Sequence, residues 1–248
     1  MEIKVLKNSL FKALGMVAAV ASQRTNTLPI LGNILFETTT QDLLKVSGTD
    51  LEVSISTTLP VHILKPGNIT VPAKKIYEII RELPEGEIEI TVAKNNAVSI
   101  KSSKAYFKIM GLPKDDYPKL PEWSSDQAVE IEQSLVKECL ELTSFAISYD
   151  ETRYVLNGVL IFIKGNLIRF VATDGRRLAF IEKEFKNKNT SNFEMIIPVK
   201  AVQELIKLLN WEGTMQIIFS KNQAIFDLGE TQLASRLIEG QFPNYEQV

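Results

Sequence analysis

A chain of 248 residues, 45% hydrophobic and 23% charged, has enough apolar material for real cores and excludes a disordered polymer. Its net charge of −2 excludes a protein that coats nucleic acid with its whole surface, though not one with a local basic face. A single cysteine, Cys139, excludes an internal disulfide framework, and no apolar run reaches membrane-spanning length. The opening Met1-Glu2-Ile3-Lys4-Val5-Leu6 lacks the apolar centre of a signal peptide, so a cytoplasmic location is expected.

In chain order, alternation predicts a strand at 2–6 and a helix at about 10–20, with Ser9 as a possible cap. Strand-like runs follow at 33–39, 43–49 and 51–59. The plan then restarts with a strand at 68–72, a helix near 73–83 and strands near 87–93, 97–102 and 104–110. Lys65-Pro66-Gly67, Pro84-Glu85-Gly86 and Asn95-Asn96 supply turn chemistry at the breaks. Pro113, Pro118 and Pro121 mark a linker over 113–126. A second round then predicts helices near 134–147 and 199–210, hairpins at 164–166 and 221–223, and a polar loop at 186–192.

The second round repeats the first. Leu31 to Leu156 is 125 positions, Thr49 to Thr173 is 124, Pro72 to Pro198 is 126 and Pro118 to Pro243 is 125. Four landmarks in one order at near-constant spacing imply two copies of one domain, at 1–120 and 121–248. Most strand connections are too short for parallel crossovers. The fold class is therefore α+β, each copy laying two helices on mostly antiparallel sheet.

The chemistry-bearing residues give no case for an enzyme. His62, the one histidine, has no acidic neighbour within two residues, and Cys139 sits on the apolar side of its helix. No phosphate-cradling loop, dinucleotide fingerprint or metal-ligand spacing occurs, so neither cofactor nor metal is expected. Asp50 and Asp174 resemble a carboxylate pair, but each falls between two strand runs, where Asp bonds its own turn backbone.

The helices say more. Ile76, Ile79, Ile80 and Leu83 form one apolar stripe, as do Val202, Leu205, Ile206 and Leu209. The opposite faces present Lys74, Lys75, Glu78 and Arg81, and then Lys200, Gln203 or Glu204, and Lys207. Lys12, Arg24, Lys137 and Arg153 lie near the other helices. Such faces are either ordinary solvated surface or spaced positive charge for a phosphate backbone. Neither base-reading residues on a recognition helix nor an aromatic stacking platform appears, which limits any contact to a sequence-independent one.

Across its whole length the chain resembles the bacterial sliding clamp, the beta subunit of DNA polymerase III. The likeness is carried by Thr27-Leu28-Pro29-Ile30-Leu31-Gly32-Asn33, Gly48-Thr49-Asp50-Leu51-Glu52, Val71-Pro72-Ala73-Lys74-Lys75, Leu83-Pro84-Glu85-Gly86, Arg153-Tyr154-Val155-Leu156-Asn157-Gly158, Ala172-Thr173-Asp174-Gly175-Arg176-Arg177-Leu178-Ala179 and Gly240-Gln241-Phe242-Pro243-Asn244-Tyr245. It implies a non-catalytic accessory subunit of the DNA-directed DNA polymerase: a homodimeric ring of six such domains, helices inside, around duplex DNA. The family has three domains per chain, so these residues are expected to be the first two, and monomeric in dilute solution. The rival reading, a small-molecule or nucleotide-processing enzyme on a duplicated α+β domain, needs paired acid/base groups or a phosphate loop.

The resemblance also implies residues. Arg24, Lys74, Lys75, Arg81, Lys137, Arg153, Tyr154, Lys200 and Lys207 are expected to face double-stranded DNA. Leu156, Thr173, Gly175, Arg176, Arg177, Leu178, Pro243 and Val248 are expected to form the second-domain wall of a pocket. That pocket takes a short glutamine-containing apolar segment from the DNA polymerase III catalytic subunit, the clamp loader and other clamp-binding proteins. Leu156 and Leu178 are alternatively core residues. Arg176 stands where many members have histidine, and Gln247 where arginine is common. Phe107 and Ile109 are expected to pack across the ring joint from the edge strand near 104–110, with Lys75 expected to pair there with an acidic group.

Overall fold

The computed structural model describes residues 1–21, 28–121, 128–186, 192–220 and 222–247. It divides into two compact units, Met1–Leu120 and Pro121–Val248. Arg24, Val248, and parts of the 113–126 linker, the 186–192 loop and the 221–223 hairpin lie outside the described residues.

In the first unit β1 (Glu2–Leu6) leads straight into α1 (Lys7–Ala21), whose buried stripe is Leu10, Ala13, Leu14, Val17, Val20 and Ala21. Then come β2 (Asn33–Thr38), β3 (Leu43–Thr49), β4 (Val53–Pro60), β5 (His62–Lys65) and β6 (Asn68–Pro72). The half-repeat closes with α2 (Ala73–Glu82), β7 (Glu87–Val92), β8 (Ala97–Ser102) and β9 (Ala105–Met110). All pairings are antiparallel. β5-β1-β7-β8-β9 form one sheet, and β4, β3, β2 and β6 lie side by side in another.

Three features correct the expected boundaries. α1 begins at Lys7 and not near Leu10, so Ser9, expected as its cap, lies inside the helix. β5 is a separate short strand at the sheet margin. It escapes a pattern reading because its burial does not alternate: His62, Leu64 and Lys65 are all exposed. The strand expected to begin at Leu51 begins at Val53, because the chain bends left-handed at Leu51 (φ 77°). α1 also packs closely on β3. A Cβ on Gly48 would lie 2.7 Å from Val17 Cγ1, so only glycine lets the helix approach this far.

The second unit repeats the plan. β10 (Val129–Glu132) and α3 (Gln133–Thr143) precede β11 (Gly158–Lys164), β12 (Leu167–Thr173), β13 (Leu178–Glu184) and β14 (Phe193–Pro198). α4 (Val199–Leu208), β15 (Thr214–Phe219), β16 (Gln223–Asp227) and β17 (Thr231–Arg236) complete it. β13-β12-β11-β14 form one antiparallel sheet, and β10, β15, β16 and β17 pair in that order. The helix expected to reach Ile147 stops at Thr143, where Thr143 Oγ1 donates back to Cys139 O at 2.7 Å and the chain tightens into a 3-10 turn. Equivalent helices start alike: Pro72 and Pro198, each at φ −58°, set the backbone for α2 and α4.

Cys139 is buried, and burial beside Glu138 pushes its thiol up to about 12, which leaves it inert as a nucleophile. It fills core, as its place in the apolar stripe suggests.

Candidate functional site

Asp50 and Asp174 are turn residues. Asp50 Oδ1 accepts from the backbone N–H of Glu52 (2.9 Å) and Val53 (2.7 Å), and Asp174 Oδ1 from Arg176 (2.9 Å) and Arg177 (3.0 Å). Those backbone donors, with the Arg177 side chain, hold Asp174 below the ordinary carboxylate value. A carboxylate spent on its own turn is no general acid or base.

The β12–β13 turn is the hub of the second unit. Thr173 Oγ1 donates to Arg177 O at 2.7 Å and accepts from Gly175 N at 3.0 Å. Arg177 Nε pairs with Asp174 Oδ2 at 3.0 Å, and its Nη2 donates to Phe145 O at 2.7 Å. Its guanidinium lies 5.5 Å over the Phe145 ring. From the 3-10 turn Glu151–Leu156, Arg153 reaches the same place, donating to Asp174 O at 2.9 Å. Thus Arg153, Thr173, Gly175, Arg176 and Arg177 are brought together.

The apolar candidates divide. Leu156 is 6% exposed and packs with Leu160, Val171, Ile196 and Phe242, so it is a core residue. Leu178 is 38% exposed on β13, opposite Thr173, and Pro243 is exposed beside buried Phe242. Pattern reasoning missed Phe180, two positions beyond Leu178 on the same face and 49% exposed. Its ring lies 5.8 Å from that of Tyr245, and Arg169, paired with Glu182 and Glu246, stands over it. Strand alternation from Leu178 was the available signal for Phe180. Nothing local in the sequence announces the fold-back of Tyr245.

The basic residues are less uniform than their repetition implies. Lys74 and Lys75 are exposed and, among the described residues, make no ion pair. Arg81 pairs with Glu82 at 2.8 Å, and its counterpart Lys207 with Glu204 at 2.8 Å. Lys200 is half-buried, and burial lowers its pKa from the ordinary lysine value. Lys137 does not stand free: its Nζ donates to Leu209 O at 2.9 Å and lies 5.1 Å over Trp211, tying α3 to the end of α4. Arg153 is occupied by Asp150 and Asp174, whereas Tyr154 is 58% exposed. Ile109 is 5% exposed in the core of its own unit; on the same edge strand Phe107 is 39% exposed.

Two copies of one antiparallel α+β unit make up the chain, and among the described residues no group of three or more His, Cys, Asp or Glu side chains could hold a metal ion. Residues 1–121 match the N-terminal domain of the DNA polymerase III beta subunit, and residues 130–244 its central domain. All of the chain aligns with the beta sliding clamp of Chlamydia pneumoniae at 32% identity and with that of Escherichia coli K12 at 32%, covering 67% and 68% of those proteins. The DNA polymerase sliding clamp of Bacillus subtilis superposes with a TM-score of 0.96 at 30% identity, over the whole chain and 67% of that structure. The chain belongs to the DNA polymerase III beta subunit family, the beta sliding clamps. It spans about two thirds of the length of most of these relatives, and 59% of the Chlamydia trachomatis protein. This is a non-catalytic class of replication protein, and the enzyme reading has no support.

Proposed function

We propose that the chain contributes two of the domains of a ring that encircles duplex DNA and tethers DNA polymerase III and other clamp-binding proteins to it, in the cytoplasm. The observation that carries this is the repetition of the helical layer: α2 and α4 start from equivalent prolines and bear basic residues at equivalent positions, Lys74 with Lys200 and Arg81 with Lys207. The acid partners of Arg81 and Lys207 temper that charge. A surface that must slide needs such weak attraction, because tight phosphate binding would arrest it. Lys74 and Lys75 are the foremost DNA-facing candidates, with Arg81, Lys207, Lys200 and Tyr154 around them; Arg24 is assigned by resemblance alone. Lys137 acts mainly in packing.

The partner site on this chain is the cleft beside Thr173, Gly175, Arg176, Arg177, Leu178 and Pro243, with Val248 assigned by resemblance and Leu156 beneath as support. Phe107 and Lys75 are assigned to the joint of the ring. No helix among the described residues is long and apolar enough to cross a membrane.

A chemical-shift titration of the chain with a short duplex tests the DNA reading. At low salt the perturbed amides should cluster on α2 and α4, be indifferent to sequence and fade as salt rises. Tight binding to one sequence that survives high salt would overturn it.

A further inference from the structure

The strip that follows β17 returns over the face of the β13-β12-β11-β14 sheet that carries Leu178 and Phe180. Ile238 N–H donates to Ile196 O at 2.9 Å, and Phe242, 5% exposed, packs with Leu160, Val171 and Ile196. Beyond Phe242, the polar bonds that tie the strip to the sheet among the described residues come from Arg169 of β12. Its Nη1 donates to Glu246 Oε1 at 2.7 Å and its Nε to Glu182 Oε2 of β13. The guanidinium lies 5.6 Å over the Phe162 ring and 6.0 Å over that of Phe180, so one side chain joins β11, β12, β13 and the strip.

The first copy builds the same device from other residues. Its own strip buries Tyr117, 6% exposed and 125 positions before Phe242, and Lys114 of that strip pairs with Glu37 of β2. Glu37 lies opposite Lys45 of β3, as Phe162 lies opposite Arg169. Glu37 to Phe162 is 125 positions and Lys45 to Arg169 is 124, so these are the same two places in the repeat. One cross-strand pair supplies the pin in both units, from opposite members and with the signs of charge exchanged. Two different ion pairs at one place mark a requirement for the pin, not an incidental surface contact.

The position of the pin along the strip differs between the copies. Lys114 precedes the buried Tyr117 by three residues, whereas Glu246 follows the buried Phe242 by four. In the second copy Pro243 is therefore held between two anchors, the Phe242 ring on one side and the Glu246 carboxylate on the other. Tyr245 completes the hold, with its ring 6.4 Å from that of Phe242 and 5.8 Å from that of Phe180.

We propose that Arg169 is a positioning residue for the partner cleft: through Glu246 it fixes the strip that carries Pro243, and through stacking it orients Phe180. The inference rests on the reading of that cleft as the peptide site. Arginine suits the place and lysine does not, because two nitrogens bond carboxylates on two elements while the flat group lies against two rings. The Glu246 side chain is 66% exposed, so the tether acts on the geometry of the strip more than on stability.

The test combines backbone heteronuclear NOE values for residues 244–247 with a chemical-shift titration by an acetylated pentapeptide carrying Gln first and Leu and Phe last. It covers the parent, Arg169→Ala, Glu246→Ala, the Arg169→Ala/Glu246→Ala double variant and Leu178→Ala. The NOE values at 244–247 should fall in Arg169→Ala and Glu246→Ala, with the thermal midpoint of Glu246→Ala unchanged. Glu246→Ala should weaken the peptide about threefold, as expected for a charge-assisted bond at an exposed site, and Arg169→Ala about fivefold. The double variant should be no weaker than Arg169→Ala alone, since both changes break the same tether. Should Arg169→Ala unfold the unit, Glu246→Ala still releases the strip and leaves the pairing of Arg169 with Glu182 in place. Parental NOE values in Glu246→Ala would overturn the tether. Lowered NOE values with parental peptide affinity, and Leu178→Ala impaired, would overturn the positioning role and leave the cleft standing. Parental affinity in every variant, Leu178→Ala included, would overturn the cleft reading itself.

Discussion

Leu156 and Leu178 came from one motif-level expectation, yet the structure gives them different work, and truncating each to alanine separates the two. Leu156 is 6% exposed within a cluster of Leu160, Val171, Ile196 and Phe242. Removing most of its side chain loses transfer energy and leaves a cavity, at about 3 kcal/mol for a site that cannot fully collapse. In a domain of this size that lowers the thermal midpoint of the second unit by roughly 10 °C. Leu178 is 38% exposed at the start of β13, so truncation costs the folded unit no more than about 1 kcal/mol. What it loses is surface that a partner would cover, at roughly 25 cal/mol per Å². An apolar area of about 40 Å² then corresponds to about 1 kcal/mol and about fivefold in peptide affinity. Thermal unfolding followed by circular dichroism, paired with a chemical-shift titration of the chain with an acetylated pentapeptide carrying Gln first and Leu and Phe last, reads both quantities. Equal falls in thermal midpoint for the two variants would place Leu178 in the core and refute the division.

Two further outcomes follow from local chemistry. Cys139 should be inert to a thiol-specific disulfide reagent at neutral pH until the chain is unfolded, since burial pushes its pKa up to about 12; prompt labelling of the native chain would contradict its placement. Asp174 has a folded pKa below the ordinary 3.8, so its contribution to the turn is complete above that value and is lost as the pH falls through the lower, folded one. The Arg176 and Arg177 amide shifts, followed by NMR, should report a midpoint below 3.8, and a midpoint at or above it would refute the bonding.

The sequence by itself determined the duplication, the α+β class, the helix stripes and the turn role of the two aspartates. Each depends on spacing or on short-range bonding, as when Asp174 captures the N–H groups two and three residues on. The alternation of β13 likewise contained Phe180 as a partner of Leu178 on one face. Tertiary structure alone decided which basic residues remain available. Lys137 is drawn to a carbonyl 72 positions away and Arg153 to one 21 positions away, and no local pattern encodes such distances. It also separated buried Leu156 from half-exposed Leu178, because that difference depends on Phe242 returning over the sheet. The identity of a cation is written in the chain, but its availability depends on which carbonyls and carboxylates folding brings within about 3 Å of it.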